Sequence, residues 1–209
     1  MHRATLVLVL IVAGMWVALT PIGARADAQA LLSLAQQLTA LPTYAPDANG
    51  THCNWFAHDF VDEFFSSSVP EMGGTPPTGY DANEIFTQLS LTSAQGGTWK
   101  DITNPIDWQA TYDLVTQLAT SGKLVIAAWP DPGGLSPHGH LAIVMPTPQV
   151  SGYSGTYEVP VIAQAGAALP NSSACNNTGG VFMDLGLNCG FGPSKRPYIH
   201  FFEYTGVYP

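Results

Sequence analysis

Apolar residues recur at helical spacing through roughly the first 120 positions of this 209-residue chain, then give way to short runs of β-forming residues. Leu31, Leu32, Leu34, Leu38 and Leu41 mark a helix over residues 27–41, stopped by Leu41-Pro42. Residues 43–49 are turn-rich. Trp55, Phe56, Phe60, Val61, Phe64 and Phe65 then share one face of a second helix, whose first turn contains Cys53. Residues 66–79, rich in Ser, Gly and Pro, read as a long loop able to line a cleft. Asp81 and Glu84 make a capping-box-like start for a short helix through Leu89, the acid standing in for Ser or Thr. A further helix covers 107–121, with Ile106, Ala110, Leu114, Val115 and Leu118 expected inward and Gly122 at its end.

After Gly122 the period shortens. Residues 123–129, 140–145, 158–164, 180–185 and 198–204 combine Val, Ile, Phe or Tyr with flanking turn residues, and each predicts a strand. Helices first and strands second predict an α+β fold, N-terminal helices against one face of a C-terminal antiparallel sheet, rather than alternating parallel units. No internal repeat or heptad run interrupts the pattern, so residues 27–209 read as one domain.

Residues 1–26 have the organisation of a signal peptide: His2 and Arg3, an apolar run from Leu6 to Leu19, then the small-x-small triplet Ala24-Arg25-Ala26. A span needs about 20 apolar residues, so this shorter run predicts cleavage and export, to the periplasm or outside the cell, without stable membrane insertion. The chain carries a formal charge of −9. Removing the leader leaves four Lys and Arg against 15 Asp and Glu, or −11. Four scattered cations argue against nucleic acid and anionic membrane surfaces as partners. The acidic balance otherwise speaks only for solubility.

Three cysteines are an odd number for an exported chain. Cys175 and Cys189 lie in a Gly- and Asn-rich stretch with little hydrophobic content, where a disulfide would restrain the loop, so these two are expected to pair. Cys53 is left as a thiol. It can serve as a small buried apolar residue, but its place in the first helical turn also suits chemistry. Unpaired N–H groups and the macrodipole favour a thiolate there, and the same N–H groups can hold an oxyanion on an attacked acyl carbon.

A thiol needs a base, and His52, His58, His138, His140 and His200 are available. His140 opens an apolar strand directly after a glycine-rich loop, so it can project into a cleft. His138 shares its parity if the strand extends backward. His52 can flank the cleft, His58 lies about 140° round the helix from Cys53, and His200 reads as a strand-face residue. Gln164, ending the next predicted strand, can orient the imidazole through its second nitrogen, with Glu203 and Asp184 as charged alternatives.

The string Thr51-His52-Cys53-Asn54-Trp55-Phe56, followed by Val125-Ile126-Ala127-Ala128-Trp129, a Pro/Gly loop and Gly139-His140-Leu141-Ala142-Ile143-Val144, resembles the CHAP and NlpC-type amidases and endopeptidases of the papain-like superfamily. The resemblance runs from Tyr44 to Gln164. It implies a papain-like α+β fold with Cys53 as nucleophile, His140 as general base and Gln164 as the orienting residue. Asn54 matches a Cys-Asn pair of some members, Tyr44 is a candidate for the oxyanion hole, and Trp55 and His138 complete the expected substrate-binding set. The chain departs from the family in having Gln where Glu, Asp, Asn or a second His is frequent. It also lacks a wall-binding repeat and carries a 174–192 segment without a counterpart.

The resemblance implies a secreted cysteine hydrolase that cleaves amide bonds in a peptidoglycan stem peptide or cross-bridge. It needs no cofactor or metal, and an inhibitor or immunity protein is a possible partner. Two other classes stand beside it. A zinc site would draw on His138, His140 and Cys53 or His52. A catalytically silent binding module would use Trp55, Trp99, Trp108 and Trp129 to hold glycan or peptide.

Overall fold

A computed structural model describes residues 22–45, 52–75, 77–132, 139–166, 175 and 180–208; most of the expected signal segment, part of the turn before Cys53, and His138 lie outside them. The helical half follows the apolar periodicity. Helix α1 (Ile22–Thr39) buries Leu31, Ala35 and Leu38 and continues N-terminally through Ala24-Arg25-Ala26. Helix α2 (Cys53–Phe65) buries Cys53, Phe56, Ala57, Phe60 and Val61, and ends at Ser66 in the left-handed region. Helix α3 (Ala82–Ala94) has a complete capping box: the Asp81 carboxylate accepts from the Glu84 N–H, and the Glu84 carboxylate from the Asp81 N–H, both at 2.8 Å. It runs beyond the expected end at Leu89.

Helix α4 (Trp108–Thr120) follows a short strand, β1 (Trp99–Asp101), and is capped by Asp107, whose carboxylate accepts from the Ala110 N–H at 3.0 Å. Its inward face is only partly the expected one: Val115 is buried and Leu118 partly so, as expected. Ile106 is 95% exposed and Leu114 40%, while Thr111, Tyr112, Val115 and Ala119 are buried. The stripe through Trp108, Tyr112, Val115 and Ala119 keeps the same 3–4 spacing but buries the Tyr112 ring and packs Trp108, partly buried, beside it, aromatic groups that carry more apolar area than the aliphatic stripe.

The strands are β2 (Val125–Trp129), β3 (His140–Val144), β4 (Val150–Gly152), β5 (Tyr157–Val159), β6 (Val161–Gly166), β7 (Gly180–Gly186) and β8 (His200–Tyr204). Five of these and β1 form one antiparallel sheet in the order β1-β8-β2-β3-β6-β7, while β4 and β5 pair as a separate ribbon. Pro160, which has no N–H for a ladder, divides the expected 158–164 strand into β5 and β6.

The fold is α+β, with helices early and an antiparallel sheet late. One expectation is corrected: helices do not cover a single face. A first core joins α1, α2 and α3 to Ile126, Ala128, Leu141, Ile143 and Ala163. A second joins Tyr112, Val115 and Ala119 of α4, Tyr153 and Leu187 to Val125, Ala127, Ala142, Val144 and Ile162. Every residue of β2, β3 and β6 is buried. Central strands that are apolar except for His140 and Gln164 offer no polar face to water, so both faces require cover. No helix of the described residues is long and apolar enough to cross a membrane.

Candidate active site

His140 begins β3, and the chain reaches it through Gly139 at φ +59°, where a Cβ would stand 2.5 Å from Asn83 Oδ1 and 2.7 Å from the Trp129 carbonyl. Only glycine satisfies both the left-handed backbone and this close approach. His140 lies opposite Trp129 in the β2–β3 register. A register shift in β6 falls between Ile162 and Gln164, and Gln164 emerges from it toward His140. Bulges of this kind re-aim a side chain beside functional sites.

The Gln164 carbonyl oxygen, Oε1, bonds His140 Nε2. A carbonyl can only accept, so Nε2 carries the proton and Nδ1 keeps its lone pair. Both side chains are deeply buried, at 7% and 1% exposure. Burial pushes the His140 imidazole down to about 4; the Gln164 bond opposes this shift and the Lys195 charge adds to it. At neutral pH the ring is therefore an unprotonated base with a defined tautomer.

Surrounding backbone leaves the pair little freedom. A Cβ on Gly166 would meet His140 Cε1 at 2.9 Å, and one on Gly190 would meet Gln164 Oε1 at 2.3 Å. Phe191 packs its ring 4.9 Å from that of His140. Gly190 belongs to α5 (Leu187–Gly190), a single turn that also carries Cys189, disulfide-bonded to Cys175 as expected.

Cys53 opens α2, 2% exposed, and the side chain of the N-cap residue His52 makes no capping bond. Cys53 belongs to the same buried core as Leu141, Ile143, Ala163 and Ala165, from the strands that bear His140 and Gln164. Two bonds gather these element starts at one end of the molecule: Asn54 Nδ2 donates to the Tyr80 carbonyl at 2.9 Å, and Asn83 Oδ1 accepts from the Asp131 N–H at 3.1 Å. A shallow depression lined by Tyr80, Asp81, Asn83 and Glu84 adjoins this corner.

Lys195 links the two halves. Its Nζ lies 4.3 Å over the Trp129 ring, beside the β2–β3 strand end. Burial lowers its pKa, while the Cys53 and Asp131 charges raise it, and its own charge acts on His140. Direct contact thus unites His140 with Gln164, and Lys195 is the charged neighbour that Cys53 and His140 share.

Other expected residues have different neighbours. The Tyr44 hydroxyl donates to Asp59 Oδ2 at 2.7 Å, six residues along α2 from Cys53, which commits its proton away from the helix start. Burial first, then Asp59, pushes its pKa upward. Trp55 stacks on His52 with ring centroids 4.0 Å apart. His58 is buried between Asp59 (2.8 Å) and Asp62 (3.6 Å), and His200 bonds Asp101 at 2.7 Å. Glu203 lies in β8, in register with Lys100 and Val125.

The aromatic set does not form one binding platform. Trp99 is buried in the first core and Trp129 in the second, on opposite faces of the sheet. Among the described residues, no three His, Cys, Asp or Glu side chains are grouped to hold a metal. His138, which the expected zinc set requires, lies outside those residues.

Sequence reasoning missed Lys195, Asn83, Gly190 and Phe191. Only the Lys195-Arg196 pair, half of the cations beyond residue 26, stood out in composition. Neither protein-family models nor curated proteins give a match to this chain.

Proposed function

We propose that the protein is a secreted cysteine hydrolase of papain-like design that cleaves amide bonds in peptidoglycan peptides. The supporting observation is the His140–Gln164 pair: a buried, neutral imidazole whose Nε2–H is held by an amide carbonyl, leaving Nδ1 as the base. In this reading, Nδ1 takes the Cys53 proton and the sulfur attacks an amide carbonyl. The N–H groups of the first turn of α2 hold the oxyanion. Collapse expels the amine, which takes the proton from His140, and water activated by the same nitrogen hydrolyses the thioester.

A neutral amide fixes the tautomer without adding a second negative charge, so His140 stays a base well below neutral pH. The Cys175–Cys189 disulfide suits the oxidising compartment where a wall polymer is found. The test is mass spectrometry of soluble products from purified peptidoglycan incubated with wild type, Cys53→Ala and His140→Ala. New amine-bearing fragments from wild type alone are expected, and their masses identify the bond cut. Equal fragment patterns from all three proteins, or no fragments from any, overturn the hydrolase reading.

A further inference from the structure

The ribbon β4–β5 stands apart from the six-stranded sheet, and two bonds fix it to α4. Gln109 Nε2 donates to the Glu158 carbonyl at 3.0 Å, and the Glu158 N–H donates to Gln109 Oε1 at 3.1 Å. The turn that joins its strands holds two consecutive non-glycine residues in the left-handed region, Tyr153 at φ +46° and Ser154 at φ +61°. Bulky L-residues are strained there, and glycine or asparagine would meet the turn with less strain. Such a conformation persists where surrounding contacts over-determine it.

The contacts of Tyr153 reach toward the His140–Gln164 pair. Its ring is buried in the second core, 6.4 Å from the Tyr157 ring and 5.7 Å from the Arg196 guanidinium. Its hydroxyl donates to the Phe191 carbonyl at 3.0 Å, in a bond closed off from solvent. Burial pushes the hydroxyl pKa upward, so it stays a donor throughout the neutral range. The Phe191 N–H donates in turn to the Leu187 carbonyl at 2.9 Å. Buried backbone groups need partners, and here both those of Phe191 are held. The Phe191 ring is thereby kept 4.9 Å from that of His140, and the preceding Gly190 against Gln164.

Resting on the hydrolase reading above, we propose that Tyr153 is a positioning residue for His140: its hydroxyl locks the Phe191 carbonyl, and through it the ring that shields the imidazole from water. The strained turn delivers that hydroxyl to the end of α5. The groups that act on the imidazole by bond or charge are Gln164 and Lys195, and Tyr153 works beside them through packing alone.

The test is NMR titration of the His140 ring in the disulfide-bonded protein, with peptidoglycan hydrolysis followed in parallel. Tyr153→Phe removes one oxygen and keeps the ring in the core. It is expected to raise the proton affinity of His140 about tenfold, and to lower kcat about tenfold with KM within about twofold. Phe191→Leu keeps the carbonyl and removes the ring, and should shift His140 in the same direction. Because the hydroxyl acts through that ring, the two shifts should not add in the double variant. Tyr157→Phe takes a hydroxyl from the same aromatic cluster and should leave His140 unmoved. An unmoved His140 in Tyr153→Phe or in Phe191→Leu, additive shifts, an equal shift in Tyr157→Phe, or an unchanged kcat in Tyr153→Phe overturns the proposal. Lost stability with an unmoved His140 would mark Tyr153 as merely structural. The expected shifts without hydrolysis by wild type overturn the hydrolase reading and leave the positioning of His140 standing.

Discussion

His140 has its unusual properties because a polar ring is deeply buried with its Nε2 held by Gln164. Its pKa is lowered from an ordinary value near 6.5 to about 4, first by burial. The sign of the stability effect follows. Above pH 6.5 both folded and unfolded chains hold a neutral ring, and the contribution is complete. Between pH 6.5 and 4 the unfolded chain takes up a proton that the native state refuses, so stability declines as pH falls, by roughly 3 kcal/mol in all. Urea midpoints measured from pH 7 to 4.5 are expected to show this decline in wild type and a shallower one in His140→Gln. Parallel slopes would refute the assignment. Gly190 governs the partner: a methyl group there displaces the Gln164 amide. Gly190→Ala is expected to cost about 1–3 kcal/mol of stability and to lower any peptide hydrolysis more than tenfold, read by denaturation and by product release.

At the scale of elements, local chemistry sets where helices begin. Asp81 and Glu84 satisfy each other's N–H groups, and the helix they start carries Asn83, which holds the Asp131 N–H at the mouth of the β2–β3 connection. Asp81→Ala is expected to destabilise the protein by about 1 kcal/mol, measured as a lowered urea midpoint. An unchanged midpoint would mean that tertiary packing alone holds α3. Helix α4 shows the limit of local reading. Its periodicity admits an aliphatic stripe through Leu114 and an aromatic one through Tyr112, and only the sheet against which it packs selects the second.

At the scale of the molecule, the disulfide ties α5 and Phe191 to a Gly- and Asn-rich stretch of the sequence, the paired cysteines lying 14 positions apart. Loop-closure entropy gives such a link about 3 kcal/mol. The Cys175→Ser/Cys189→Ser double variant is expected to lose about that much stability. As Phe191 and Gly190 loosen over the pair, the His140 pKa should rise toward 6.5, followed by NMR titration of the ring. Lost stability with an unmoved His140 would confine the disulfide to a stabilising role.

The sequence by itself determined what depends on neighbours a few residues apart: the helix that starts at Cys53, the Asp81 cap, the order of helices before strands, and the strand that opens with His140. It also separated Cys53 from Cys175 and Cys189, because an odd count in a loop-rich context allows few arrangements. Tertiary structure decided which faces those elements bury and which side chains meet. It placed α4 on the far side of the sheet, turned the Tyr44 hydroxyl toward Asp59, and set Lys195 over Trp129, 55 positions from His140. Periodicity records that a residue faces inward, whereas the identity of its partner depends on long-range packing of surfaces that the local pattern leaves equivalent.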